Sequence, residues 1–329
     1  MSNKILFRGY ETLTSREVGW GDAFEYDLAC YLYAKQKGYK DNDIYIVFPR
    51  FGYETRIFGS ISKDKYEYQP TKFLPWNHYS RLDDINKDEW KEIIDTTQPD
   101  SLYEGFPGIQ KTGVYIYMYF NIYERLYNKR PYLNVPRTYK GKPYIIFQSR
   151  NNNMGSFVRQ RVTNEDNLMY IYKTIKDHLG DKYEYWKTGE PTSIDDEFDK
   201  IIPLMYDNLD GFVEIIRNSS LVVGTHSGPP QIAFYFEDVP VIRFDMYSEG
   251  NLMDADIHPE RKQQILGFDL SLANKYNIPY SPSFFEGNFL YRRKGIFPDE
   301  GKRIEIMYTD LGDLPNKEDI KWVLDSNDL

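Results

Sequence analysis

A single cysteine, Cys30, stands in 329 residues, so no internal disulfide can form, and a buried free thiol in a reducing compartment is its expected role. Nowhere does an apolar run approach the roughly 20 residues that a bilayer crossing needs. Ile5-Leu6-Phe7, near the start, is too short for the apolar part of a signal peptide, and the reading is a soluble, cytoplasmic protein. The four histidines, His78, His178, His226 and His258, are scattered and have no second cysteine beside them, so no metal site is expected. Basic charge is also in deficit: a formal net charge of -9 argues against a nucleic-acid backbone as the main partner, which would call for clustered Lys and Arg. What the chain has in excess is aromatic side chains, 30 Tyr, 20 Phe and 5 Trp, most of which suit core or half-buried strand positions.

The length suits two α/β domains better than one core. Lys4 to Arg8 reads as a strand. A loop from Gly9 to Gly21 leads to a helix whose Phe24, Leu28, Tyr31 and Leu32 recur at helical spacing, and Gly38 stops it. Ile44 to Phe48 is an apolar run ended by Pro49, as a buried parallel strand would be, which completes a β-α-β unit. Residues 50 to 110 carry a weak pattern, with a short helix expected from Lys87 to Ile94, and Tyr115 to Asn128 reads as helical. Pro131, Pro136 and Pro143 punctuate an interdomain linker. From residue 144 strands and helices alternate: strands at 144–147, 183–186, 221–223 and 241–244, helices at 165–179, 211–218 and 230–236. Such alternation implies a doubly wound parallel sheet, whose ligands sit beyond the carboxyl ends of the strands. The expected architecture is α/β, two Rossmann-like domains (1–135 and 136–329) facing a cleft.

The strongest local signal is the run from Leu221 to Ala233, in which a buried strand delivers Gly224-Thr225-His226-Ser227-Gly228 onto a helix start. Backbone N–H groups and the positive dipole end there suit a diphosphate, with Thr225, His226 and Ser227 as side-chain partners and Gly228 allowing close approach. Arg150, Arg159 and, more weakly, Arg161 follow the 144–147 strand at the same sheet edge, where guanidinium groups would neutralise a departing diphosphate. Gly189 and Glu190, in the loop after the next strand, are assigned to the nucleoside. In the first half, Asp22 opens the helix after strand one, as a cap or as a general base. Asp254-Ala255-Asp256 matches a metal-binding Asp-x-Asp pattern but reads as a loop rather than a strand end.

Taken together, Lys4 to Ala23 and Ser220 to Phe244 resemble the ADP-heptosyltransferase family of GT-B glycosyltransferases. The resemblance implies a transfer of sugar from a nucleotide-sugar co-substrate to an acceptor hydroxyl on a glycan or glycoconjugate, inverting and metal-independent, with no resident cofactor. It places Asp22 on the family's catalytic base and Ser227-Gly228 on its donor diphosphate turn. His226 stands where that family has Asp, Gln231 where it has His, and the Lys-x-Trp-Pro segment is absent from 148–161. Two alternatives stay open. Polysaccharide pyruvyl transferases resemble the same arrangement through Gly224-Thr225-His226, and the altered turn residues also suit a non-catalytic binding protein on this frame.

Overall fold

The computed structural model of the chain describes residues 3–8, 20–47, 72–79, 85–95, 132–149, 165–202, 209–225, 228–233, 235–245, 295–296, 304–307 and 317–329. They group into two units, one holding the described residues within Met1–Arg56 and Leu74–Val135, the other those within Ile57–Phe73, Pro136–Ile257 and Pro282–Leu329. The expected helix at Tyr115 to Asn128 and the Asp254-Ala255-Asp256 triplet lie outside the described residues.

The first unit is built on β1 (Ile5–Arg8), α1 (Trp20–Gln36), β2 (Ile44–Val47), β3 (Asn77–Tyr79) and β4 (Glu92–Asp95). Its sheet runs β3-β2-β1-β4, with every neighbouring pair parallel. Ile5, Leu6 and Phe7 are fully buried, because a parallel strand covered on both faces has no solvent side for polar residues. Gly38 ends α1 with φ of 84°, while its N–H bonds Lys35 O (3.0 Å) and the N–H of Tyr39 bonds Ala34 O (3.0 Å). This paired closure needs a left-handed residue and satisfies carbonyls that the helix leaves open. Cys30 lies buried in the middle of α1, as its helical setting suggests, and burial pushes its thiol well above the ordinary value.

The helix expected at Lys87 to Ile94 does not form. Asn86 accepts a bond from the N–H of Asp88, capping a single 3-10 turn over Lys87–Glu89, and the chain then extends into β4. Pairing of Ile93 and Ile94 with Leu6 and Phe7 decides the outcome, since an edge of β1 offers ladder bonds that a two-turn helix cannot match.

The second unit contains β5 (Tyr144–Ser149), α2 (Glu165–Leu179), β6 (Glu184–Gly189), β7 (Lys200–Ile202), α3 (Leu209–Asn218), β8 (Leu221–Gly224), α4 (Gly228–Ala233), β9 (Val241–Asp245), β10 (Gly295–Ile296), β11 (Ile304–Met307) and α5 (Lys317–Ser326). Strand order is β10-β11-β9-β8-β5-β6-β7, parallel throughout except for β10 at one edge. From β7 to β11 the chain order therefore reads 3-2-1-4-5-6, the arrangement of doubly wound nucleotide-binding sheets. Ile145, Phe147, Leu221 and Val223 meet Leu168, Ile171, Ile175, Ile320 and Val323, so α2 and α5 cover one face together. Tyr144 stacks on Trp186 (3.8 Å between ring centroids, 5° between planes).

The helix expected at Pro230 to Phe236 begins two residues earlier and ends at Ala233. Pro229 and Pro230 occupy its first turn, where a missing N–H costs nothing. The proline-rich stretch before β5 is fastened down: the N–H groups of Thr138 and Tyr139 donate to Asn218 Oδ1 (2.7 and 2.9 Å), and Arg137 bonds the Asp238 carbonyl (2.8 Å).

Candidate functional site

In the second unit β5 is the first strand of the sheet, and the chain goes to β6 on one side of it and later to β8 on the other. The direction of winding switches there, and the carboxyl ends of β5, β6 and β8 are the ends that such a fold offers to a ligand.

Buried polar side chains fasten these three ends to each other. Gln148 on β5 accepts at Oε1 from the N–H (3.1 Å) and the hydroxyl (3.3 Å) of Thr225, just past β8, with both residues buried. The bond requires glycine next door: a Cβ on Gly224 would stand 2.7 Å from Gln148 Oε1 and 3.0 Å from Pro230 Cγ. On the β6 side, the Ser149 hydroxyl donates to the Glu190 carbonyl (2.6 Å), and the Glu190 N–H donates to the Ser149 carbonyl (3.2 Å). Gly189 sits between them at φ of 100°, and a Cβ there would land on the Ser149 carbonyl oxygen.

Lys187 anchors the loop that follows. Its fully buried ammonium donates to the Glu190 carbonyl (2.9 Å) and pairs with Asp195 Oδ1 (2.6 Å). Burial pulls the ammonium below its ordinary value, and the bond to Asp195 opposes that pull. Asp195 also accepts from the Thr192 hydroxyl (2.7 Å) and N–H (3.1 Å), so one carboxylate closes the whole turn.

Of the sequence-predicted site residues, the structure brings Gly189, Glu190 and Thr225 to this sheet edge, and Gly228 opens α4 just beyond β8. The Thr225 hydroxyl is committed to Gln148 rather than facing outward. Arg150, Arg159, Arg161, His226 and Ser227 lie outside the described residues. Sequence reasoning missed Gln148, Lys187 and Thr188. The strand expected at 183–186 stops short of Lys187 and Thr188, which β6 includes, and no spacing signals that they are buried.

In the first unit, Asp22 is the third residue of α1, the helix that follows β1. One turn and a half further along, Asp27 is fully buried and receives two groups on one oxygen. The Oδ2 atom lies 2.6 Å from His78 Nε2, on β3, and accepts from Trp76 Nε1 at 3.3 Å, while Oδ1 has no hydrogen-bond partner among the described residues. A polar residue set among Phe24, Leu28 and Tyr31 on one helical face was the available signal for this pair. Burial raises the Asp27 carboxyl above its ordinary value, against the lowering effect of His78 and then Trp76.

A carboxyl raised in the folded state holds its proton there over pH values at which the unfolded chain has lost it. Stability attributable to Asp27 is therefore complete below its ordinary value of 3.8 and is lost as pH climbs from there through the higher native value. Urea melts across pH 3.5 to 7 should show the wild type losing ground to Asp27→Asn as pH rises. Parallel curves for the two proteins would contradict the assignment.

Among the described residues no group of three or more His, Cys, Asp or Glu side chains is placed to hold a metal ion, and no helix is long and apolar enough to cross a membrane.

No protein-family model matches the chain, and no curated protein matches it. Solved structures similar to it include a glycosyl transferase family 9 protein from Veillonella parvula, at 10% identity and a TM-score of 0.40, covering 86% of this chain and 91% of that one. Another is the iron-containing dodecameric glycosyltransferase TibC from enterotoxigenic E. coli, at 12% identity and a TM-score of 0.37, covering 76% of this chain and 63% of that one. A third is the E. coli heptosyltransferase WaaC with ADP-2-deoxy-2-fluoro heptose, at 10% identity and a TM-score of 0.36, covering 80% and 98%.

Proposed function

We propose that this protein transfers a glycosyl group from a nucleoside-diphosphate sugar to an acceptor hydroxyl, with inversion and without a metal ion. The observation that carries the reading is the second unit's 3-2-1-4-5-6 strand order, with the carboxyl ends of β5, β6 and β8 locked together at its switch point by Gln148, Ser149 and Thr225. Rigid strand ends suit a donor site, because a transition state is stabilised by groups already in place before reaction.

In this reading the donor lies beyond those strand ends, its nucleoside against Gly189-Glu190 and its diphosphate at the turn from Thr225 to Gly228. Arg150 and Arg159 offset the charge that grows on the diphosphate as it leaves. The acceptor hydroxyl oxygen forms its bond to the anomeric carbon on the face opposite the breaking bond. The hydroxyl proton passes to the Asp22 carboxylate, and the electron pair of the broken bond departs on the nucleoside diphosphate. The acceptor is a glycan or glycoconjugate.

A thermal-shift panel of nucleoside diphosphates, nucleotide sugars and phosphoenolpyruvate tests this directly, since a ligand that binds only the native state raises its melting temperature. One nucleoside diphosphate should raise it clearly, by about 2.7 kcal/mol of added stability at a hundredfold excess over Kd. That shift should shrink in Arg150→Ala and Ser227→Ala. A shift with phosphoenolpyruvate alone, or with nothing, rejects the proposal.

A further inference from the structure

At the switch point nearly every buried polar side chain described above has its partner inside the fold, and one does not. Thr188, the penultimate residue of β6, is 1% exposed, and its Oγ1 has no hydrogen-bond partner among the described residues. Its register partner on β5 is Gln148, the residue that ties β5 to Thr225. Facing partners in a pleated sheet share a face, so Thr188 and Gln148 form one polar row next to Gly224. Two residues back along β6, on that same face, the Trp186 ring stacks on Tyr144 and closes the row from below. Thr188 thus sits at the edge where a doubly wound sheet receives its ligand, one residue short of the left-handed Gly189.

An unmet buried hydroxyl is costly, whereas valine, of the same shape, would fill the place without that cost. A strand position so close to Ser149, Gln148 and Lys187, all satisfied, is a poor place for an idle hydroxyl.

We infer that the Thr188 hydroxyl is a recognition group for the nucleoside diphosphate of the donor, completing its hydrogen bonding only when that ligand is bound. The inference rests on the donor-transfer reading and adds to it a residue that sets donor affinity and specificity. It gives Thr188 no part in bond making or breaking.

The test is isothermal calorimetry of ADP, GDP, UDP and CDP against the wild type, Thr188→Val and Thr188→Ser, with melting curves of the three ligand-free proteins. For the nucleotide that binds the wild type, Thr188→Val should raise Kd about tenfold, the scale of one lost hydrogen bond to a ligand, and Thr188→Ser should stay within about twofold. Ligand-free Thr188→Val should melt no lower than the wild type, because it removes a hydroxyl that has no partner among the described residues. Equal Kd values for the wild type and Thr188→Val overturn the inference and leave the donor reading standing. A ligand-free Thr188→Val that melts well below the wild type also overturns it, by showing that the hydroxyl serves the fold. Failure of all four nucleotides to bind the wild type overturns the donor reading itself.

Discussion

Asp22→Asn should lower kcat by about a hundredfold to ten-thousandfold while leaving the Kd of the donor unchanged. The asymmetry follows from the role proposed for the carboxylate. A general base acts on the acceptor proton in the transition state and has no contact with the donor diphosphate, so its loss appears in turnover and not in donor binding. The position in α1 supplies the competing role, because an acid in the first turn of a helix also stabilises the dipole. A purely dipolar role would cost only about 0.3 to 1 kcal/mol of stability, with turnover intact. Single-turnover kinetics and donor titration on the same variant separate the two, and an unaltered kcat would remove Asp22 from the mechanism.

Gly189→Ala should be the most damaging single methyl group at the candidate site. Backbone at φ of 100° is open to glycine and strained for any other residue, and the added carbon would strike the Ser149 carbonyl oxygen, which already receives the Glu190 N–H. Neither partner can step aside, since the two strand ends are tied at Ser149 and Glu190. A loss of about 3 kcal/mol is expected, read as a fall of roughly 10 °C in melting temperature. The nucleotide-induced thermal shift should fall with it, because relief of the clash must pull β6 away from β5. A variant that melts like the wild type and keeps that shift would show that the crossing of β5 and β6 is looser than described.

Regular apolar strands and amphipathic helices were legible from residue types alone. Ile5-Leu6-Phe7, Ile44 to Val47, Tyr144 to Phe147 and Leu221 to Val223 are strands for the reason that made them readable, burial on both faces. The helix at 165–179 was read to the residue, because Leu168, Ile171, Tyr172, Ile175 and Leu179 keep one stripe. Illegible elements owe their form to partners distant in sequence. Asn77-His78-Tyr79 has no apolar run and becomes a strand through its pairing with β2. Residues up to Ile94 fit the short helix expected from Lys87, yet β4 is held extended by β1.

The site divides in the same way. Gly189, Glu190, Thr225 and Gly228 could be placed because turns after buried strands advertise themselves with small residues. Lys187 and Thr188 could not, since a lysine or threonine at a strand end reads as solvent-facing until Asp195 and the neighbouring strands are in place around it. Asp27 lay hidden for a related reason, because its partners His78 and Trp76 come from another strand and the residue before it.

The shared cover of α2 and α5 over one sheet face sets an order for the birth of this protein. During synthesis β5, α2 and β8 leave the ribosome long before α5, so Ile145, Phe147, Leu221 and Val223 wait with one flank open until Ile320, Val323 and Leu324 arrive. An apolar strip left uncovered for that interval is what chaperones bind and what neighbouring nascent chains adhere to. The second unit should therefore owe its yield in the cell to how quickly α5 docks, with the His178 to Asp325 bond at 2.9 Å as one latch on that late-arriving helix.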